Sequence, residues 1–570
     1  MNFPAMFALT GAVQGGVLWW LWRAQAQTTW PATEPMIQIA MLYAALAVPL
    51  AIYFTQNIER LPVWARRAAV ALYLVLYAAL GAYTAWAADA SSVHTSLKFA
   101  DTAAALVLGF VSVALLCGFD FEARRWRYER LFNYAWRNGI LLVTAWAMVG
   151  AVWLVLFAGA GLMSLIGVKW VMETIQKPVF ACPVTGLVVA AAFALGLARA
   201  AMTDTIRRFW LSINAWLLPL VLFFAVLWVL ALPFTGLEGL FKTQSAAFMM
   251  LGFMALAVKF SNCAYQDGEA GWPYPAWLSR ATQLAWLALL VVVAIAWWAL
   301  GLRIAQHGWS EQRLWAALAA ALAAVYALGY ALSWFKPQRW MALIAPTNIA
   351  AAVLLCLALL LLLSPVANIR RLAVAAHISH VTQANGTQEP DWAYLRWNSG
   401  RYGREALQGL SAGTGVPVGQ DWAKQAARAL AQTSRYDNKP EEVTAQTLAE
   451  KFTVYPKGRS LPGSFAQQMQ GGQQAWEVQR CLKASVACPV WLGDLNGDGQ
   501  DELLLFYPGS AWSGSLFMQT RERWLNVGNV SSYGMKEKFD PSQLEGAKVG
   551  KAEWGDLMVQ GQRLRVRINN

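Results

Sequence analysis

Long apolar segments alternate with short polar loops over the first 365 residues of the chain. Each segment holds about 20 mostly apolar residues, the length that an α-helix needs to cross roughly 30 Å of hydrocarbon. The pattern therefore predicts a polytopic α-helical membrane protein with about 11 transmembrane helices. The segments lie near residues 3–22, 35–54, 68–87, 99–118, 140–162, 184–200, 211–232, 246–262, 281–301, 313–334 and 342–365.

The pattern changes after Pro365, where ordinary water-soluble composition replaces the apolar runs. Residues 366–454 show helical periodicity, whereas beyond Trp491 apolar residues recur with the period of two that is typical of short antiparallel strands. The pattern predicts strands at 503–507, 516–518, 524–527 and 564–568. We therefore expect three parts: a transmembrane helical domain (1–365), a helical stalk with the helical part of an outer domain (366–454), and a β-rich part (455–570).

Basic residues are unevenly divided between the two sets of loops. With the N-terminus in the cytoplasm, cytoplasmic loops carry 15 Lys and Arg before residue 366, and the opposite loops carry seven. Membrane proteins concentrate positive charge in their cytoplasmic loops. An odd number of spans then places the C-terminal α+β domain outside the cytoplasm, in the periplasm of a Gram-negative cell. Arg370 and Arg371 depart from the rule, because they follow the last span on the other side.

The same distribution excludes nucleic acid as a partner, although the formal net charge is +13. Most basic residues of the first part stand in short loops between apolar segments, which is what membrane insertion produces. An alternative for the first segment is a cleaved signal peptide, because Ala24-Gln25-Ala26 resembles a cleavage site. The segment lacks the basic stretch with which signal peptides begin, so we expect it to be a span.

Two of the six cysteines lie close together in the polar part of the chain. Six residues separate Cys481 from Cys488, and the other four cysteines are scattered through the apolar segments. Disulfides persist in oxidising compartments such as the periplasm. We therefore expect a disulfide between Cys481 and Cys488.

The segment 494–502 alternates oxygen-bearing residues with glycine, as calcium-binding loops do. It is not a full EF-hand, because Leu505 stands at position twelve, and it looks like the calcium loops between strands of FG-GAP repeats. Those loops end in Asp where this one has Glu. The alternative is a hairpin turn without metal. We expect one structural calcium ion, held by the side chains of Asp494, Asn496, Asp498 and Glu502 and the carbonyl of Gln500.

Polar residues that could meet a lipid phosphate follow the ninth apolar segment. Arg303, His307 and Arg313 lie on the outer side, where guanidinium groups could bind a phosphate. The alternative is that the two arginines pair with Glu311 and Glu173. The apolar segments contain no mid-span carboxylate, which argues against ion-coupled transport. The sequence contains no Gly-rich phosphate loop, nucleophile elbow or zinc-protease motif.

Three stretches resemble a bacterial inner-membrane family catalogued as domain of unknown function 4153. They are Gly308–Trp315 (GWSEQRLW), the apolar run that ends Leu363-Ser364-Pro365, and Trp392–Leu407, which contains YLR and GRYGREAL. The resemblance follows most of the chain in order. It implies an inner-membrane protein, and it implies neither an activity nor catalytic residues.

These patterns leave three functions open. The first is a non-enzymatic envelope protein whose periplasmic domain binds or senses a partner, such as another envelope protein. The second is a transporter or flippase for a lipid-like substrate, and the third is a membrane-embedded transferase acting on a lipid-linked substrate. Membrane lipids are expected partners in all three, and no catalytic residue can be assigned.

Overall fold

The computed structural model describes most of the chain, and the chain divides into two compact units, Met1–Ala431 and Gln432–Asn570. The segment 366–454 therefore falls partly in each unit. The described residues are 3–56, 58, 60–89, 98–243, 245–269, 274–336, 339–383, 389–416, 421–432, 443–470, 476–482, 484, 486–507, 513–520, 523–531, 540–550, 557–559 and 562–564.

The first unit is helical, as the hydrophobic pattern predicts. Within the described ranges, 11 of its helices are long and apolar enough to cross a membrane, namely α1–α5, α7, α8 and α10–α13. Its helices are α1 (Phe3–Gln27), α2 (Pro35–Thr55), α3 (Val63–Ala88), α4 (Phe99–Gly118), α5 (Tyr128–Leu165), α6 (Trp170–Ile175), α7 (Pro178–Ala198), α8 (Ala200–Thr235), α9 (Glu238–Lys242), α10 (Ala246–Tyr265), α11 (Ala276–His307), α12 (Glu311–Ala331), α13 (Ile344–Leu363), α14 (Ile369–Gln383), α15 (Gly400–Ser411) and α16 (Trp422–Ala431).

Helices α5 and α8 are much longer than the apolar segments from which they were predicted. They contain 38 and 36 residues, which corresponds to about 57 and 54 Å at 1.5 Å per residue. Both helices begin before their apolar segments, at Tyr128 and Ala200. The strands β1 (Phe119–Asp120) and β2 (Arg125–Trp126) pair as a short antiparallel hairpin before α5.

Helices α1 and α7 pack closely because glycine stands where they cross. A Cβ atom on Gly11 would lie 2.3 Å from the carbonyl oxygen of Gly186, and one on Gly15 would lie 2.5 Å from that of Cys182. Gly11 and Gly15 form a GxxxG motif, which lets two helix backbones approach each other in an apolar environment. The motif therefore fixes α1 against a helix that is distant in sequence.

After α13 the chain turns back onto the ends of earlier helices. The Arg370 guanidinium, in the first turn of α14, lies 2.5 Å from the Asp101 carboxylate, in the first turn of α4. The two side chains are only 3% and 8% exposed. Helices α14–α16 share a small core around Leu395, Leu407 and Trp422. The buried ion pair therefore joins this small helical layer to the long helices.

The second unit contains a mixed sheet flanked by short helices. Its described helices are α17 (Ala445–Lys451), α18 (Gly463–Gln470) and α19 (Trp476–Leu482), and its strands are β3 (Phe452–Tyr455), β4 (Cys488–Gly493), β5 (Glu502–Phe506), β6 (Ser513–Gln519), β7 (Trp524–Ser531), β8 (Leu557–Val559) and β9 (Gln562–Leu564).

Five of the described strands form one sheet in the order β3-β4-β5-β6-β7, in which β3 and β4 are parallel and the other pairs antiparallel. One face packs on the helices around Phe465 and Val478, and the other carries Trp491 and Phe506. The strands predicted at 503–507, 516–518 and 524–527 are confirmed. Of the fourth predicted strand, 564–568, all but Leu564 lies outside the described residues.

We predict that replacing Asp101 by Asn strongly destabilises the first unit. The substitution leaves the Arg370 guanidinium buried without a counter-charge, which costs about 3–5 kcal/mol of unfolding free energy. Denaturation of the purified chain in detergent would measure the change. The control is Asp421→Asn, whose partner Lys424 lies 3.7 Å away with both side chains about three-quarters exposed. The control should change stability by less than about 1 kcal/mol, and equal effects would contradict the prediction.

Candidate functional site

The predicted calcium loop is an exposed turn built around Asp494, between β4 and β5. One carboxylate oxygen, Oδ1, accepts hydrogen bonds from the backbone N–H groups of Gly497 at 2.6 Å and Asp498 at 3.2 Å. The other, Oδ2, accepts from the N–H of Gly499 at 2.9 Å. The Gly499 N–H is the main reason why the pKa of Asp494 lies below its usual range. Asp494 therefore shapes the turn whether or not a metal is bound.

The remaining predicted ligands of the loop lie around one amide group. The Nδ2 atom of Asn496 donates to Asp498 Oδ2 at 3.0 Å and to Glu502 Oε1 at 2.8 Å. Glu502 is only 3% exposed, and its Oε2 accepts from the Leu495 N–H at 2.7 Å. Gln500 is exposed. Two carboxylates thus approach a common point, with oxygen chemistry that suits a hard cation.

A search of the described residues finds no group of three or more His, Cys, Asp or Glu side chains able to hold a metal ion. Asp494, Asp498 and Glu502 are held by hydrogen bonds to backbone and amide donors. Carboxylate oxygens have further lone pairs that a cation could use. Calcium binding at this loop therefore stays a prediction.

The expected disulfide is present in the second unit. Cys481 and Cys488 are bonded, with their Cα atoms 5.8 Å apart, and both side chains are fully buried. The bond joins the end of α19 to the start of β4. The other four cysteines of the chain are free. The spacing of the two cysteines, together with the expected oxidising compartment, predicted this pair.

The predicted lipid-phosphate residues lie around the turn between α11 and α12. The Nη1 atom of Arg313 donates to the carbonyl oxygens of His307 at 3.2 Å and Gly308 at 2.7 Å. Arg313 therefore caps the end of α11, and His307 is exposed in its last turn. Glu311 pairs with Lys98 at 2.9 Å rather than with Arg313. Arg303 is half-buried one turn before His307, and phosphate binding by these residues stays a prediction.

Lys98, which precedes α4, contacts both the start of α12 and the residues before α15. Besides Glu311, its Nζ atom donates to the carbonyl oxygen of Asn398 at 2.6 Å. Next to it, a Cβ atom on Gly400 would lie 2.3 Å from the Ala87 carbonyl oxygen. Helix α15 thus begins directly against the end of α3.

The residues that follow Gly400 also contact α3. The Arg401 guanidinium lies 4.2 Å from the centre of the Trp86 ring, and the Tyr402 hydroxyl lies 2.7 Å from that of Tyr83. Arg404 forms an ion pair with Asp89. We call the contacts of Lys98, Asp101 and residues 83–89 with residues 370–404 the junction.

A buried polar network that the sequence did not predict lies near the other ends of the long helices. Asn348 accepts a hydrogen bond from the Tyr330 hydroxyl at 2.5 Å, and its Nδ2 donates to Tyr128 at 2.9 Å and to Asn262 at 2.5 Å. Asn262 donates to Tyr330 at 3.0 Å and to the carbonyl of Val258 at 2.8 Å. These four side chains come from α5, α10, α12 and α13, so the network ties four helices together.

Two adjoining cavities lie beside the network. The first is an open cleft of about 560 Å³ between α4, α5 and α8. The second, of about 210 Å³, reaches the network at Tyr128, Asn262 and Asn348. Phe110, Ala135 and Trp136 line both, so the two cavities adjoin at these residues. We call the first cavity the cleft and the second the chamber.

Comparison of the chain with known protein families, curated proteins and solved structures finds no match. Its function must therefore be inferred from its own residues and their geometry.

We predict that removing the disulfide weakens the second unit. Replacing Cys481 and Cys488 together by Ala frees an eight-residue loop in the unfolded chain, which costs about 2–3 kcal/mol. Hydrogen exchange of the β4 amides in the full-length protein should become about 30–150 times faster, as 1.4 kcal/mol is a factor of about ten. Cys182→Ala, at a free cysteine of α7, should leave β4 unchanged. If the β4 amides exchange as slowly after the double substitution as in the wild type, the prediction is wrong.

Proposed function

We propose that this chain is an integral inner-membrane protein with a cytoplasmic N-terminus and a periplasmic C-terminal domain. In this proposal it is a non-enzymatic envelope protein, whose outer part binds or senses a partner. The 11 membrane-span-capable helices support the membrane location. The bias of basic residues between the loops and the disulfide of the second unit support the orientation.

The junction is the observation that carries the sensing role. Residues 370–404 hold the ends of α3 and α4 through ion pairs, a cation–π contact and a close backbone approach. A partner that bound helices α14–α16 would therefore act directly on the long helices, because packed elements transmit strain. In the proposed orientation this junction lies on the periplasmic side.

The stretches that carry the family resemblance lie at the junction, which supports a role for this part of the molecule. Gly308 lies against the His380 ring, and Glu311 and Asn398 both bond Lys98. The stretches Gly308–Trp315 and Trp392–Leu407, on which the resemblance largely rests, thus meet at the junction. We also propose that the chain belongs to the family catalogued as domain of unknown function 4153.

Lipid transport is a second candidate, and the cleft beside α5 and α8 favours it. The cleft is open and apolar, as a lipid-chain site requires. It is not lined by Arg303, His307 or Arg313, so a transport path would have to include a second polar site at the opposite end of the helices.

The orientation can be tested with reporter fusions in cells. Fusions after residues 60 and 205 should be active only as cytoplasmic reporters, and a fusion after residue 400 only as a periplasmic one. The reason is that an odd number of spans separates residues 205 and 400. A cytoplasmic signal at 400 would overturn the orientation and with it the periplasmic role.

The binding role can be tested with photo-crosslinking residues placed on the outer part in living cells. Gln408 of α15 is exposed and Trp476 of the second unit is 64% exposed, so both positions can reach a partner. We expect a discrete adduct at one or both. Buried Leu503 is the control and should give none. Absence of adducts at every exposed position of 366–550 would contradict a binding role.

We propose that the loop 494–502 binds calcium and stabilises the β-rich part. A metal that binds only the folded state raises its stability by RT ln(1 + [L]/Kd), about 2.7 kcal/mol at 100 times Kd. The melting temperature of the full-length protein should therefore be higher in about 10 mM calcium than in chelator, since extracellular calcium sites have Kd values on the order of 0.1–1 mM.

The variant Asp498→Ala should abolish the calcium shift. Asp540→Ala is the control, because Asp540 only caps a turn at Ser542 outside the loop. The control should keep the shift. If wild type melts equally with calcium and with chelator, the loop is a metal-free turn.

A further inference from the structure

Of the two adjoining cavities beside α5, the cleft is apolar and the chamber is partly polar. The cleft is lined almost entirely by apolar and aromatic side chains, among them Trp136, Ile140, Val143 and Phe209. Val143 is 70% exposed and Phe209 is 67% exposed, so the cleft is open on the outer surface of the helices. The chamber adds two carboxamides and two phenols to its lining. No Asp, Glu, Lys or Arg is among the described residues that line either cavity.

The hydrogen-bond balance of the network determines which chemical group the chamber can accept. Both amide hydrogens of Asn348 and both of Asn262 are donated within the network or to Val258. The hydroxyl hydrogens of Tyr128 and Tyr330 are donated to the two asparagines. The network therefore offers spare acceptor lone pairs, such as the second one of Asn348 Oδ1, and no spare donor.

Tyr326 supplies the missing donor. It lines the chamber beside Asn348, and its ring packs edge-on against Tyr330 at 5.7 Å. None of the hydrogen bonds among the described residues involves its hydroxyl, and the residue lines the chamber. A ligand hydroxyl could therefore donate to Asn348 and accept from Tyr326. A phosphate would find one neutral donor and no cation, and burying an anion under those conditions is costly.

The order of the two ends matches a lipid in the cytoplasmic leaflet. Tyr128 stands at the start of α5, and Ile140 lies 12 residues further on, or about 18 Å along the helix axis. In the proposed orientation α5 starts at the cytoplasmic face. The polar chamber thus lies at headgroup level, and the cleft extends toward the middle of the bilayer.

We propose that this pair of cavities is a binding site for an uncharged long-chain lipid alcohol of the diacylglycerol type. One chain occupies the cleft beside Trp136 and Val143, and the hydroxyl head bonds Asn348 and Tyr326 in the chamber. The site goes beyond the proposed periplasmic role and does not depend on it. It requires that the long helices lie in a bilayer, and only the choice of the cytoplasmic leaflet rests on the proposed orientation.

The probe is a diacylglycerol with a photoactivatable diazirine in one chain, added to the full-length protein in phosphatidylcholine nanodiscs. Labelling followed by peptide mass spectrometry should mark α5 or α8. Unlabelled diacylglycerol should compete, whereas phosphatidic acid with the same chains should not. Equal competition by phosphatidic acid would overturn the uncharged head.

Two variants test the cavities themselves. Gly139→Leu fills the cleft, and its Cβ would meet only Phe110, at 3.9 Å, so the fold can accept it. Labelling should fall about tenfold. Tyr326→Phe removes only the unpartnered hydroxyl and should lower labelling about 2–12-fold, the equivalent of one hydrogen bond.

The matched control is Val13→Leu. Val13 lines a different apolar cleft, of about 450 Å³, between α1 and α2. Its labelling should equal that of wild type. If Gly139→Leu and Tyr326→Phe both label like wild type, the cavities are not the site. The reporter fusions and the photo-crosslinks are independent measurements, so failure of this site is distinguishable from failure of the proposed function.

Discussion

Arg370 and Asp101 are both nearly removed from solvent, and neither charge can be kept there without the other. Asp101 begins α4, and Arg370 follows α13, so the pair fixes the direction in which the chain leaves its last long helix. The contacts of Tyr402 and Arg404 with α3 lie further along the same segment. The buried pair and these contacts together hold residues 370–404 against the ends of α3 and α4. In the proposed orientation Arg370 departs from the charge rule, and the pair accounts for this because the positive charge is neutralised inside the protein.

The number and order of the long helices could be predicted because hydropathy over about 20 residues is a local property. The disulfide and the turn at Asp494 could be predicted for the same reason, because the residues that interact in them lie within a few positions of each other in the sequence. The lengths of α5 and α8 could not be predicted from hydropathy, because their polar first turns are helical without being apolar. The pairing of Arg370 with Asp101 spans 269 residues, and no pattern in the sequence identifies such a partner.

The polar network was missed for a related reason. Asn262 ends an apolar segment and Asn348 begins one, positions where polar residues usually face water or headgroups. Only the packing of four helices brings them to Tyr128 and Tyr330. The signal available in the sequence was the presence of carboxamides at the ends of two apolar segments, since unpaired amides are costly away from water. Which phenol each would meet depends on tertiary structure alone.

The glycine contact between α1 and α7 constrains how the protein is made. Gly11 and Gly186 are 175 residues apart, and ribosomes add about 5–20 residues per second. Helix α1 therefore meets this partner on the order of 10–30 s after its own synthesis. Helix α2, in contrast, packs with α3, which directly follows it in the chain and is therefore made soon after it. Helix α1 thus completes its packing only after residues 178–198 have been made, so the order of assembly differs from the order of translation.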